Sequence, residues 1–196
     1  MYYVTGGMPE SVLMWTEARE YEDALQWLVD ARLVHKIYRS SAPGLPVAAY
    51  DDLSAFKIYL VDVGLLHRLA QLAPTAFGEG SRLFTEFKGA LTENFVLQTL
   101  VTQFEVIPRY WTQTNPPYEV DFLIQRENVI FPVKVKFEAH TSSKSLKKFK
   151  ELFPDKVKLR VRFSLDNMKL DDNVLNIPLF MADQADRLIG LALEQK

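Results

Sequence analysis

The sequence predicts an α/β protein: a mixed sheet built in the order α-β-β-β-α-β, preceded by a helix-strand-turn-strand element. Three observations lead there. Two runs dense in β-branched and aromatic residues, VDFLI and VIFPVKV, follow one another closely in mid-chain. Both are nearly continuous in apolar character, as expected of central strands covered on two faces. Segments with apolar residues at helical spacing lie on either side of them.

The elements follow in order. Residues 21–32 (YEDALQWLVDAR) put Ala24, Leu25, Leu28 and Val29 on one helical face, with Trp27 alongside. Residues 33–39 (LVHKIYR) alternate as a strand does. SSAPGLP (40–46) is a turn by its Pro and Gly content, and VAAY (47–50) reads as a second short strand. Residues 56–60 then lead into a helix through Leu65, Leu66 and Leu69. This order suggests a winged-helix-like element over residues 1–75, and LAPTAFGEGS (72–81) is the expected linker to a second unit, 76–196. There a long helix spans 83–103, its apolar stripe formed by Leu83, Phe87, Leu91 and Phe95 and extended by Leu97 and Leu100. Strands are expected at 106–112, 118–125 and 129–137, with Asn128 in a hairpin, then a helix at 143–153 and a strand at 157–164. The end of the chain, IPLFMADQADRLIGLALEQK, reads as a short strand and a closing helix.

Composition excludes several function classes. The 196 residues are 48% hydrophobic, enough to bury a core. Without cysteine there are no disulfides, thiolate metal sites or cysteine nucleophiles. No run of about 18 apolar residues is present to span a membrane, and MYYVTGGMPE has no signal-peptide pattern. The expectation is a cytoplasmic protein without a membrane partner.

The net charge of −2 conceals an asymmetry. Between Lys134 and Arg162 ten basic residues stand against three acidic ones, so that stretch carries +7 and the remainder −9. A basic segment of this kind is an electrostatic footprint for DNA phosphate, and it equally fits a solvated lysine-rich surface. On the helix at 143–153, Lys144, Lys147 and Lys148 share one side, opposite Leu146, Phe149 and Phe153. They are the candidate nucleic-acid contacts.

One group of residues has the chemistry of phosphodiester hydrolysis. Glu119 and Asp121, two apart on a strand, project from one face. Lys134 and Lys136 do the same on the next strand, and Glu93 lies on the preceding helix. A Mg²⁺ site needs several hard oxygen ligands, and a nearby lysine stabilises charge on phosphate. Glu93, Asp121 and Lys136 have those types in that order.

With these residues the chain resembles the PD-(D/E)XK nuclease superfamily, which has a restriction-endonuclease-like core. More narrowly it resembles the uncharacterised C-terminal domain that follows the ATPase domain in many prokaryotic AAA+ ATP-binding proteins. The matching stretches are GGMPE (6–10), FKIYLVDVGLL (56–66), GALTENFV (89–96), YEVDFLI (118–124) and FPVKVK followed by SLKKF. The resemblance implies that Glu93, Asp121 and Lys136 correspond to catalytic positions, and that an AAA+ ATPase domain is a partner. It also exposes a departure. The family's third strand usually reads Pro-x-Glu-Val-Lys, and here Lys134 replaces the second acid. A cation there removes a metal ligand and repels a divalent ion, although Glu138 or Glu119 offers a substitute carboxylate. No G-x-x-x-x-G-K-[ST] is present, so the chain has no P-loop of its own; it reads either as a fragment or as a shortened gene product.

Simpler readings stand beside these. Glu93 fits a helix ion pair, and Asp121 and Glu119 fit cross-strand pairs with Lys134 and Lys136, each contributing about 0.2–1 kcal/mol. His35, His67 and His140 lack metal-ligand spacing. Trp15, Trp27 and Trp111 are expected in the core or half-buried. The sequence therefore leads to a catalytically degenerate nuclease-fold module acting in nucleic-acid binding or regulation, with no cofactor. The alternatives are an active Mg²⁺-dependent DNA endonuclease and a protein-interaction domain.

Overall fold

The computed structural model describes residues 19–71, 82–138 and 143–194. The GGMPE stretch, Trp15, the expected linker at 72–81 and His140 lie outside them. The elements are α1 (Arg19–Asp30), β1 (Val34–Ser40), a 3-10 turn (Val47–Tyr50), β2 (Asp51–Leu60), α2 (Val63–Leu69), α3 (Arg82–Leu100) and β3 (Arg109–Gln113). They continue with β4 (Tyr118–Arg126), β5 (Val129–Val135), α4 (Lys144–Leu152), β6 (Arg160–Ser164), β7 (Lys169–Asp171), β8 (Val174–Pro178), a second 3-10 segment (Leu179–Gln184) and α5 (Ala185–Glu194). The expected α-β-β-β-α-β order runs from α3 to β6.

The described strands form one mixed sheet in the order β2-β1-β3-β4-β5-β6-β8-β7. Helices cover both faces. On one, Val96, Leu97 and Leu100 of α3 and Ala185, Ile189 and Ala192 of α5 pack against Phe122, Ile124, Phe131 and Val133. On the other, Leu146 and Phe149 of α4 pack with Trp111, Val120, Leu123 and Ile130. The Trp111 ring meets Phe149 edge-on at 5.0 Å. Two covered faces account for the unbroken apolar runs of β4 and β5.

The N-terminal hairpin is part of this sheet. β1 pairs antiparallel with β2 and parallel with β3 through Arg39 and Tyr110. Ile37 and Tyr59 enter the main core. Asn94 of α3 clamps the end of β2, accepting from the Leu60 N–H at 2.9 Å and donating to the Leu60 carbonyl at 3.0 Å. Gln98 accepts from the Val63 N–H at 2.7 Å.

Two expectations are corrected, and one element is new. VAAY is a 3-10 turn, and the second strand begins only at Asp51. Val47 is buried there with its N–H bonded to Gln125 Oε1 at 2.9 Å, and the Ala49 N–H bonds the Pro46 carbonyl at 3.0 Å. Those bonds satisfy the backbone without a ladder. Trp27 is 76% exposed, and Ala24 and Leu28 are exposed as well; α1 packs on β1, and of its apolar face only Leu25 and Val29 are half-buried. Amphipathic spacing identifies an apolar face and leaves open what covers it. The β7–β8 hairpin was not anticipated; Asp172 and Asn173, with φ of 45° and 57°, make the two-residue turn between Asp171 and Val174.

Candidate functional site

The site begins with a slip in register. Trp111 pairs with Val120 but Arg109 pairs with Leu123, so Asp121 and Phe122 together stand opposite Tyr110. A bulge of this kind re-aims a side chain. The ladder between β4 and β5 ends at Phe122 and Val133. Beyond that pair the Asp121 carboxylate takes over, its Oδ2 accepting from the Val135 N–H at 2.7 Å. Its Oδ1 accepts from Lys134 Nζ at 2.5 Å. Asp121 is 0% exposed. Burial pushes its carboxyl above the ordinary value, while Lys134 and then Lys57 pull it down.

A second cation lies beside the first pair. Lys57 of β2 is only 3% exposed and forms an ion pair with Glu119 Oε1. Its Nζ is 3.8 Å from Glu93 Oε2 and 5.1 Å from the centroid of the Tyr110 ring. Burial alone would lower this ammonium, but Glu93, Glu119 and Asp121 outweigh it and raise its pKa. Tyr59, two residues along β2, donates its hydroxyl to Glu93 Oε2 at 3.1 Å. Burial pushes the Glu93 carboxyl up to about 7; the Asp121 charge adds to the rise and Lys57 opposes it.

Each of the three carboxylates therefore has a protein partner. Asp121 is held by Lys134 and Val135, Glu119 by Lys57, and Glu93 by Tyr59 and Lys57. Among the described residues no group of three or more His, Asp or Glu side chains is arranged to hold a metal ion. A polar cavity of about 250 Å³ opens beside this network. Glu93, Lys134, Lys136, Glu138 and Lys88 line it, and the missing side chain of Gly89 leaves space there. Lys136 forms no ion pair among the described residues.

The fold thus brings Glu93, Glu119, Asp121, Lys134 and Lys136 to one end of the sheet. The expected Asp121–Lys134 pair is present. Glu119 does not pair with Lys136; Lys57 takes it instead. Sequence reasoning missed Lys57 and Tyr59. Their signal was a lone charge within the apolar run AFKIYLV, sharing a strand face with the tyrosine two residues on.

The lysines of α4 divide. Lys144 and Lys147 are exposed and line a groove of about 350 Å³ with Arg160, Arg162 and Lys169. Lys148 lies outside that lining and pairs with Glu151 at 3.7 Å. Lys150 donates to the carbonyls of Pro154 and Val157, closing the turn after α4. An apolar cavity of about 660 Å³ lies between α2, α3 and the segment after β8, lined by Leu91, Phe95, Phe137 and Phe180 among others. No helix among the described residues is long and apolar enough to cross a membrane.

Two families match parts of the chain. Residues 88–180, from α3 through β8 into the following 3-10 segment, match a domain of unknown function (DUF4143). Residues 16–76, which include the β1–β2 hairpin, match a second domain of unknown function (DUF8612). No curated protein and no solved structure matches the chain.

Two predictions follow from the ion-pair network. Lys134→Met leaves Asp121 buried without its cation and should cost about 3–5 kcal/mol in urea denaturation at neutral pH. A change below about 1 kcal/mol would mean that the pair carries little. Glu93 has a folded-state pKa of about 7 against an ordinary 4.5, so the folded chain holds this proton more tightly. Its contribution to stability is fully present below pH 4.5 and is lost as pH rises through 7. Glu93→Gln should flatten the stability profile across that window, and an unchanged slope would contradict the assignment.

Proposed function

We propose that this chain is the nuclease-fold C-terminal module of an AAA+-type ATP-binding protein, catalytically degenerate, and acting in nucleic-acid binding or its regulation. The fold reading rests on the αβββαβ order from α3 to β6, on the mixed sheet, and on the meeting of a helix acid with a strand aspartate. The site reading rests on one contact, Lys134 Nζ on Asp121 Oδ1 at 2.5 Å. An ammonium sits where a nuclease of this fold would have its second acid and, between them, its metal.

The donor set does not suit a divalent cation. Mg²⁺ takes six oxygen ligands in near-ideal octahedral geometry and is repelled by neighbouring ammonium groups. Here both Asp121 oxygens accept from the protein, and two buried or half-buried lysines stand among the carboxylates. What the residues do is hold a polar network closed at the end of the sheet, with Lys136 left facing the cavity beside it.

The purified chain incubated with duplex DNA and either Mg²⁺ or Mn²⁺ should leave the duplex intact on a denaturing gel. Metal-dependent cleavage that disappears in Asp121→Ala would overturn the reading in favour of an active nuclease.

A further inference from the structure

We propose that the groove beneath α4, and not the carboxylate cavity, is the docking site for the phosphate backbone of a nucleic-acid duplex. The inference deepens the nucleic-acid reading above and rests on it.

The groove lies between α4 and the β6–β8 end of the sheet. One section, of about 350 Å³, is lined by Lys144, Lys147, Arg160, Arg162 and Lys169. A second, of about 260 Å³, shares Lys147, Arg160 and Asp172 with the first and adds Lys150 and Lys158. The two sections form one basic channel. The acidic groups of its lining are already engaged: Asp172 pairs with Arg160 at 3.1 Å, Asp171 with Lys169 at 2.7 Å and Glu151 with Lys148 at 3.7 Å. Arg162 is oriented by donating Nε–H to Asn176 Oδ1 at 2.8 Å. Lys144 and Lys147 form no ion pair among the described residues, so their charge is available to a ligand.

The character of the lining selects the ligand. Among the described residues the only apolar side chains in the two sections are Val174 and Val157. A protein interface needs an apolar centre, commonly with aromatic anchors. Among the described residues no aromatic side chain lines either section, so they offer no platform on which unpaired bases could stack. Positive charge without apolar or stacking surface suits a continuous row of phosphates, read without regard to sequence. The Ser143 hydroxyl, at the N-terminus of α4, is buried, without a hydrogen-bond partner, and lines the same groove. A phosphate oxygen there would meet that hydroxyl and the free N–H groups of the first helical turn.

Fluorescence anisotropy with a short labelled duplex tests this, using the full chain, the double variant Lys144→Glu/Lys147→Glu, and Lys136→Glu. Both lysines of the double variant are exposed, and unchanged circular dichroism and melting temperature will establish that it folds. The expected result is weak binding by the native chain at about 50 mM salt, falling steeply as salt rises. The double variant should lose at least about tenfold in affinity, with a salt slope shallower by about 2. Lys136→Glu should bind as the native chain does. If the native chain binds and the double variant binds equally well, the groove is overturned while the nucleic-acid reading stands. Stronger loss in Lys136→Glu than in the double variant would move the site to the carboxylate cavity. Tighter binding of the corresponding single strand, or competition by poly-glutamate at equal charge, would overturn the duplex assignment. No binding at low salt would remove the nucleic-acid reading itself.

Discussion

The ion pair between Asp121 and Lys134 is the constraint on which the rest of this site depends. A carboxylate with no exposure to water is tolerable only when both of its oxygens are engaged. The bulge in β4 turns Asp121 inward, the end of the β4–β5 ladder leaves the Val135 N–H available to it, and Lys134 supplies the compensating charge. Removing any one of these leaves a buried charge or a buried donor unsatisfied, each costly in a low-dielectric interior.

Around that pair the second cation, Lys57, balances the two glutamates and links distant parts of the chain. It reaches the site from β2, near the opposite edge of the sheet from β6 and β8. β2 is held there by α3, through Glu93, Asn94 and Gln98 bonding Tyr59, Leu60 and Val63. One helix face therefore does two things: it contributes an acid to the site and fixes the strand that neutralises it. The N-terminal hairpin is consequently structural support for the site, although a different family model covers it.

Much of this was legible in the sequence because it depends on local pattern. Nearly continuous apolar runs marked β4 and β5, and their short connection put Asp121 beside Lys134. The residue types in their order identified Glu93, Asp121 and Lys136 as one constellation, with Glu119 beside Asp121. What was not legible depended on long-range packing. Lys57 becomes part of the site only because β1 joins the sheet beside β3, a pairing no local pattern encodes. The bulge at Asp121 and Phe122 leaves no mark in a run where every residue is compatible with a strand. Trp27 failed in the opposite sense, since a helical stripe marks an apolar face and leaves its cover unspecified. The division of the α4 lysines followed from partners elsewhere: Glu151 for Lys148, and two carbonyls for Lys150.

Isothermal titration of the full chain with Mn²⁺ addresses the central claim most directly. With ammonium groups among the carboxylates, the titration should give no saturable heat at this site, whereas Lys134→Glu, which returns an acid to the position, should gain a binding event. One-site saturable binding by the native chain, abolished by Asp121→Asn, would contradict the account.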